Sequence, residues 1–372
     1  DFFCFTQSTS HPGFLDPQNE EEITGKLFVE NKTMQVKLNN PISRRRFLAG
    51  SLAAGLATTN GGPLVAARRQ KPKAQIAITL DLEMSRHYPK RGLTEWDYQK
   101  GNLDQATKEY SVKAGELVKK RGGVLHYFCV GRVLEQPDVS WLQKLDQLGH
   151  PIGNHTYDHV NLRATTPAMA QFRFQRSPWL VKGKTVPEIL RENIRLTTIA
   201  LKERAKIDVN GFRTPGGFRD ALNGRADLQH LLMEQKFSWV SSKYPRHAYG
   251  TPKERPTEDV YQSIVDAQQQ AQPFRYPSGL IEIPMSPISD VGAFRSTFWK
   301  LDYFLEAITR AVRSVIARGQ VFDFLAHPSC LVVEDPEMKT IERIMDLVAD
   351  AGDQAEIVGL DTIAKRVPLL KR

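Results

Sequence analysis

Apolar positions along the chain alternate between two spacings, and that alternation sets the fold to expect. Ala74-Gln75-Ile76-Ala77-Ile78-Thr79-Leu80 is an unbroken apolar and β-forming run, which predicts a buried strand ending at Asp81-Leu82-Glu83. Residues 104–121 carry apolar side chains at helical spacing and stop at Gly122-Gly123, after which 124–130 reads as a second strand ending at Gly131. A helix over 139–148 is closed by Gly149, and a short extended segment then runs into His155. Pro187 opens a helix through Lys206, 209–218 is a strand entering a Pro and Gly turn, 228–236 is a helix and 237–240 a strand. Residues 280–284, 321–326 and 355–358 are strand-like, with helices expected over 300–318, 336–351 and from Asp361 onward. Two stretches break the pattern. Residues 161–186 lose periodicity around Pro167 and Pro178, and 244–277 hold five prolines and the run Gln268-Gln269-Gln270, so both read as surface insertions, the second as an insertion or lid. No repeat is visible, and the alternation fits one α/β barrel-like domain better than two domains.

Polar residues capable of chemistry gather where the strands end. A side-chain period of two puts Asp81 and Glu83 on one side of their strand and Leu82 on the other. Two carboxylates at the end of a buried strand need donors or a cation, either a salt bridge or a metal. In Gly153-Asn154-His155-Thr156-Tyr157-Asp158-His159, two imidazoles four residues apart would share one face of a helical turn and could grip one metal ion; such pairs also serve as surface or capping residues. Arg213 precedes Thr214-Pro215-Gly216-Gly217, where its fork suits a carboxylate, although a surface Arg beside a turn has the same appearance. His327 follows the strand over 321–326. Ligands offered from the C-terminal ends of strands are what parallel α/β folds provide.

Composition narrows the class. The chain has 372 residues, 41% hydrophobic and 25% charged, which are globular values with ample core material. Its net charge is +9, yet residues 1–67 balance six acids (Asp1, Asp16, Glu20, Glu21, Glu22, Glu30) against six bases (Lys26, Lys32, Lys37, Arg44, Arg45, Arg46), so the excess lies further on. There the bases are scattered among acids with no recognised module, a pattern expected of the ordinary solvated face of a basic enzyme and not of a nucleic-acid binder. Three cysteines, Cys4, Cys129 and Cys330, give neither a disulfide framework nor a Cys-type zinc site. Ser43-Arg44-Arg45-Arg46-Phe47-Leu48, the moderately apolar residues 49–57 and the small residues Val65-Ala66-Ala67 resemble a twin-arginine export signal over 34–67. Its apolar run is interrupted well before the roughly 18 residues of a membrane span, so removal is expected, with no permanent anchor and an exported, periplasmic or extracellular product. Residues 1–33 are acidic where a leader is normally basic, and Met34 is expected to be the true start, with 1–33 a disordered gene-model extension.

With these residues assembled, the chain resembles the polysaccharide deacetylase, or NodB-homology, family of carbohydrate esterases. Four pieces carry the resemblance from about Gln75 to Val358: Ile78-Thr79-Leu80-Asp81, Gly153 to His159 as written above, Arg213-Thr214-Pro215-Gly216-Gly217, and Leu325-Ala326-His327. It implies a distorted (β/α) barrel over 75–365, a divalent metal that is commonly zinc, and hydrolysis of N-acetyl or O-acetyl groups on a glycan such as peptidoglycan. Carried over by position, Asp81 matches the base, His155 and His159 the imidazole ligands, Arg213 the residue that orients the base, and His327 the acid. The sequence departs from the family in two places. The second Asp of the usual first motif, a metal ligand, is Leu82 here, so Glu83 is the candidate replacement, and Asp81 and Glu83 exchanging roles stays open. Phe237-Ser238-Trp239 keeps the Trp of another motif without its Asp. Besides deacetylation by metal-activated water, two readings compete: hydrolysis of another non-peptide C–N bond on the same fold, and a glycan-binding protein that has lost catalysis. The twin-arginine translocation machinery is the other partner expected.

Overall fold

The first strand, β1 (Ala74–Leu82), is hydrogen-bonded to three others and sorts its side chains by parity. The structure, a computed structural model, describes residues 72–91 and 99–368; the expected leader over 34–67, residues 1–33 with Cys4, and Met34 lie outside them. From β1 the chain runs through α1 (Gln105–Lys120), β2 (Leu125–Cys129), α2 (Ser140–Gln147), β3 (Ile152–Asn154), α3 (Phe172–Arg176), α4 (Val186–Ala200), β4 (Phe212–Phe218), α5 (Ala226–Glu234) and β5 (Trp239–Lys243). It continues through α6 (Glu258–Gln268), β6 (Phe274–Arg275), β7 (Ile281–Glu282), α7 (Leu301–Arg318), β8 (Val321–Ala326), α8 (Pro328–Glu334), α9 (Lys339–Ala351), β9 (Ala355–Ile357) and α10 (Leu360–Arg366).

The sheet order is β6-β7-β5-β4-β3-β2-β1-β8, with β9 beside the start of β1, and every pairing is parallel except β6 with β7. Near the two ends of this order the amide of Ser286, just past β7, donates to the Asp323 carbonyl of β8 at 2.8 Å. The result is a curled, incompletely closed sheet with helices outside, a distorted (β/α) barrel. Right-handed βα crossovers generate this arrangement when each strand is followed by an amphipathic helix.

Parity decides what lies inside. Ile76, Ile78, Leu80 and Leu82 face outward into a buried cluster with Tyr110, Ala114 and Val118 of α1, Phe304, Ile308 and Val312 of α7, and Ile341 and Ile344 of α9. Burying each such aliphatic side chain contributes about 1.5–3 kcal/mol. The alternate residues point into the barrel. Ala77 packs at its base with Phe128, Trp239, Ile283 and Val321, and Leu360 and Ile363 of α10 belong to the same cluster. Beyond Ala77 on that face come Thr79, Asp81 and then Glu83, all buried, so the interior changes from apolar to charged along one strand. Gly211, at φ +80°, is required here: a Cβ would sit 1.8 Å from the Trp239 ring.

A second cluster lies on the far side, where Phe212 and Val240 meet Ile189, Leu190 and Ile194 of α4 and Leu228 and Leu232 of α5. Residues 161–186, expected as a surface excursion, add Leu162, Ala170, Phe174 and Val181 to this cluster. Residues 244–277, expected as an insertion or lid, contain α6. Its Val260, Tyr261 and Ile264 are buried in the main core, and Thr257 caps its first turn. Prolines flank this helix without entering it, which is why the composition hid it. Between the strand over 321–326 and the helix expected over 336–351, α8 starts at Pro328, and α9 begins at Lys339, where Asp335 accepts the amides of Lys339 and Thr340.

Candidate metal and hydrolytic site

The polar end of the barrel interior receives side chains from β1, the loop after β3, β4, β8 and the segment before α7. Asp81 and Glu83 enter because they continue the inward parity of β1. Leu82 faces the helix layer, so no turn of its side chain reaches the site. Asp81 Oδ1 accepts from Arg213 Nη1 at 3.0 Å, and Asp81 Oδ2 lies 3.7 Å from His155 Nε2. Glu83 Oε2 lies 3.6 Å from His155 Nε2 and 3.1 Å from His159 Nε2.

His155 and His159 do converge, with ring centroids 5.1 Å apart, but not on a helical turn as their spacing implied. The loop instead kinks through left-handed backbone at Thr156 (φ 60°) and His159 (φ 54°), conformations that persist only where neighbours hold them. The holding contacts are specific. The Asn154 side chain accepts the Thr156 amide at 2.8 Å and donates to the Ile194 carbonyl at 2.8 Å, while the Thr156 hydroxyl accepts the Val160 amide at 3.0 Å. The Gly131 amide donates to Thr156 O at 2.9 Å, and a Cβ on Gly131 would stand 2.4 Å from the Tyr157 ring. His155 Nδ1 lies 3.0 Å from the Arg213 carbonyl. A carbonyl only accepts, so Nδ1 carries the proton and Nε2 presents its lone pair to the site.

Arg213 is fully buried, not a surface residue. Nη1 also donates to Thr79 Oγ1 at 2.8 Å, Nη2 donates to Asp323 Oδ2 at 2.6 Å and to Ser241 Oγ at 3.3 Å, and the guanidinium lies 4.3 Å over the Phe128 ring. With every edge committed it can hold Asp81 in one orientation. His327, at the end of β8, faces Glu83 Oε1 at 3.4 Å through Nε2 and Asp290 Oδ2 at 3.0 Å through Nδ1; its backbone amide also donates to Asp290 at 3.1 Å.

These neighbours set charge. Burial alone would raise the Glu83 carboxyl, but His159, Lys100, His327 and His155 hold it well below the usual carboxylate range. Burial lowers His155 despite Asp81 and Glu83 beside it, and lowers His159 strongly, so both imidazoles are neutral near pH 7. His327 goes the other way: burial opposes its charge, yet Asp290 and Glu83 push it up to about 9. Asp323 is raised by burial and partly drawn back by Arg213.

Glu83, His155 and His159 place one ligand atom each within 4.8 Å of one another, the only such group of three among the described residues. Glu83 Oε2 is buried and accepts no hydrogen bond, and it faces the Nε2 atoms of both imidazoles. One carboxylate oxygen and two neutral imidazole nitrogens form a donor set that fits a divalent ion, with positions left over for water and substrate.

Three participants escaped sequence reading. Asp323 carried a usable signal, since an acid inside Val321-Phe322-Asp323-Phe324-Leu325-Ala326 on the inward parity of a buried strand needs a partner. Asp290 and Lys100 carried none, because each comes from an irregular segment whose position no periodicity reports.

Residues 101–230 match the family model for polysaccharide deacetylase. That span contains His155, His159 and Arg213 and stops short of Asp81, Glu83 and His327 on either side. A Mycobacterium smegmatis protein assigned to the polysaccharide deacetylases has a similar structure, with TM-score 0.52 and 15% identity, covering 82% of this chain and 96% of that one. PuuE allantoinase is similar to the same degree, with TM-score 0.52 and 15% identity over 83% of this chain and 97% of that one. No curated protein matches the chain. At these identities the structures show the fold alone, and it is the family-model match over residues 101–230 that supports a deacetylase-type hydrolase.

Proposed function

We propose that the chain is a metal-dependent hydrolase that removes acetyl groups from an N-acetylated or O-acetylated glycan. The observation that carries this reading is the division of labour between the two inward carboxylates: Asp81 is tied to Arg213, whereas Glu83 faces both imidazoles. It favours Asp81 as base and Glu83, His155 and His159 as the ligands of a divalent ion, zinc being the expected one. Such an ion, when bound, acidifies water and polarises the acetyl carbonyl. The chain's own groups do the rest. Asp81 takes the proton of the attacking water, and Arg213 keeps its carboxylate aimed. His327, held protonated by Asp290, gives its Nε2 proton to the departing sugar amine or hydroxyl, which is otherwise a poor leaving group. The buried setting strengthens each of these interactions by excluding water.

The test is acetate release from chitin oligomers, peptidoglycan and acetylated xylan, with and without chelator, and with allantoin as a small C–N substrate in parallel. Chelator-sensitive acetate release from a glycan supports the proposal. Turnover confined to the small amide transfers it to the other C–N bond, and stoichiometric metal with no turnover on any substrate favours a glycan-binding protein without catalysis. No helix among the described residues is long and apolar enough to cross a membrane. Export through the twin-arginine machinery belongs to the same proposal, supported by Ser43-Arg44-Arg45-Arg46-Phe47-Leu48. Replacing Arg44 and Arg45 together by Lys should retain the precursor in the cytoplasm, and unchanged export would reject this route.

A further inference from the structure

Lys100 is a buried lysine, 1% exposed, and its ammonium is paired with Glu83, a residue of the candidate metal centre. Its place is built. The Met84 amide, next to Glu83 in sequence, donates to the Lys100 carbonyl at 3.0 Å. The following residue, Gly101, passes so close to Arg132 that a Cβ would stand 2.5 Å from that residue's carbonyl carbon, so the backbone at this point has little freedom to move away. The Glu83 carboxylate is thereby divided, with Oε1 facing Lys100 and His327 while Oε2 faces the two imidazoles.

The charge count follows directly. Asp81 and Asp323 share the single positive charge of Arg213, and His327 is matched by Asp290. The imidazoles are uncharged ligands, so Glu83 is the ligand that brings a negative charge to a dication, and Lys100 already neutralises it. We propose that Lys100 is a resident counter-cation of the metal centre: it fixes which oxygen of Glu83 faces the imidazoles and holds the affinity for a divalent ion low, making the metal exchangeable. Two effects of removing it compete. Losing the fixed orientation would weaken binding, and losing the charge would strengthen it. The charge should win, because Glu83 Oε2 still faces His159 at 3.1 Å and His327 still borders Oε1. Even at the permittivity of bulk water, a unit charge in contact with the same carboxylate is worth about a factor of ten against a dication, and more in a buried site.

This inference rests on the metal reading above, and one experiment separates the two. The metal-stripped protein is titrated with Zn2+ against a chelating chromophore at fixed pH and ionic strength, comparing wild type, Lys100→Met, Lys100→Arg and His155→Ala. Lys100→Met should bind Zn2+ about tenfold tighter or more, with slower metal loss to excess chelator, and Lys100→Arg, which keeps the charge, should stay near wild type. Equal or weaker binding by Lys100→Met overturns the counter-cation role. Should that variant fail to fold, Lys100→Gln gives the same reading. His155→Ala must lose affinity whatever Lys100 does; if it binds like wild type, the metal site itself is wrong, whereas loss there with no tightening in Lys100→Met removes only the role of Lys100.

Discussion

Replacing Asp290 by Asn tests the acid half of the site most directly. Its carboxylate lies 3.0 Å from His327 Nδ1 and also accepts the His327 amide at 3.1 Å, and both side chains are buried. Burial on its own lowers an imidazole, so the value of about 9 at His327 depends on Asp290 first and Glu83 second. An amide at the same place keeps the shape and removes the charge. His327 should then fall to or below the ordinary imidazole value of about 6.5, a change of roughly 2 units or more, or about 3 kcal/mol between its two protonation states. An acid works while protonated, so wild-type kcat/KM for the proposed deacetylation should hold up to about pH 9 before falling; in Asp290→Asn the fall should begin near neutrality. The stability linkage has the same sign. A group raised in the folded state stabilises fully below its unfolded value, about 6.5, and that contribution is lost as pH rises through the folded value, about 9. Denaturant unfolding of the metal-free wild type should therefore lose stability across pH 6.5 to 9, and Asp290→Asn should show no such loss. An alkaline limb that stays put in the variant refutes the argument, because His327 would then owe its charge to something other than Asp290.

The remaining predictions concern the carboxylates of β1. Asp81→Asn should lower kcat by about 10² to 10⁴ while Zn2+ affinity changes much less, since a base is lost and not a ligand; a variant that loses the metal and not the chemistry would exchange the roles of Asp81 and Glu83. Leu82→Asp introduces the residue that polysaccharide deacetylases usually carry at the matching position but points it into the helix layer. It should destabilise the protein by several kcal/mol in denaturant unfolding and add nothing to metal affinity, and a stable variant with tighter Zn2+ binding would show the strand parity to be misassigned.

How much could be read in advance differs by level. Strand and helix alternation, and the inward parity of Asp81 and Glu83, depend on periods of 3.6 and 2 that local sequence carries in full. The exchange of Leu82 for Glu83 is legible for that reason, because moving one residue along a strand changes its face. Convergence of His155 and His159 was expected, but through a helical turn, when the backbone in fact kinks at two left-handed residues held by Asn154 and Gly131. Spacing reports that two rings can meet and is silent on the route the chain takes. The helix α6 was hidden because flanking prolines dominate composition while leaving the helical segment itself intact.

By itself the sequence determined the parity of β1, which sends Asp81 and Glu83 to one side, and placed acids, imidazoles and an arginine at strand ends. Tertiary structure alone decided their partners. Lys100, Asp290 and Asp323 reach the site from segments 17 residues from Glu83, 37 from His327 and 110 from Arg213. The pairing of charges is a property of the closed barrel: periodic forces act over one or two turns of chain, and the electrostatic balance of a buried site depends on whatever folding brings within a few ångströms.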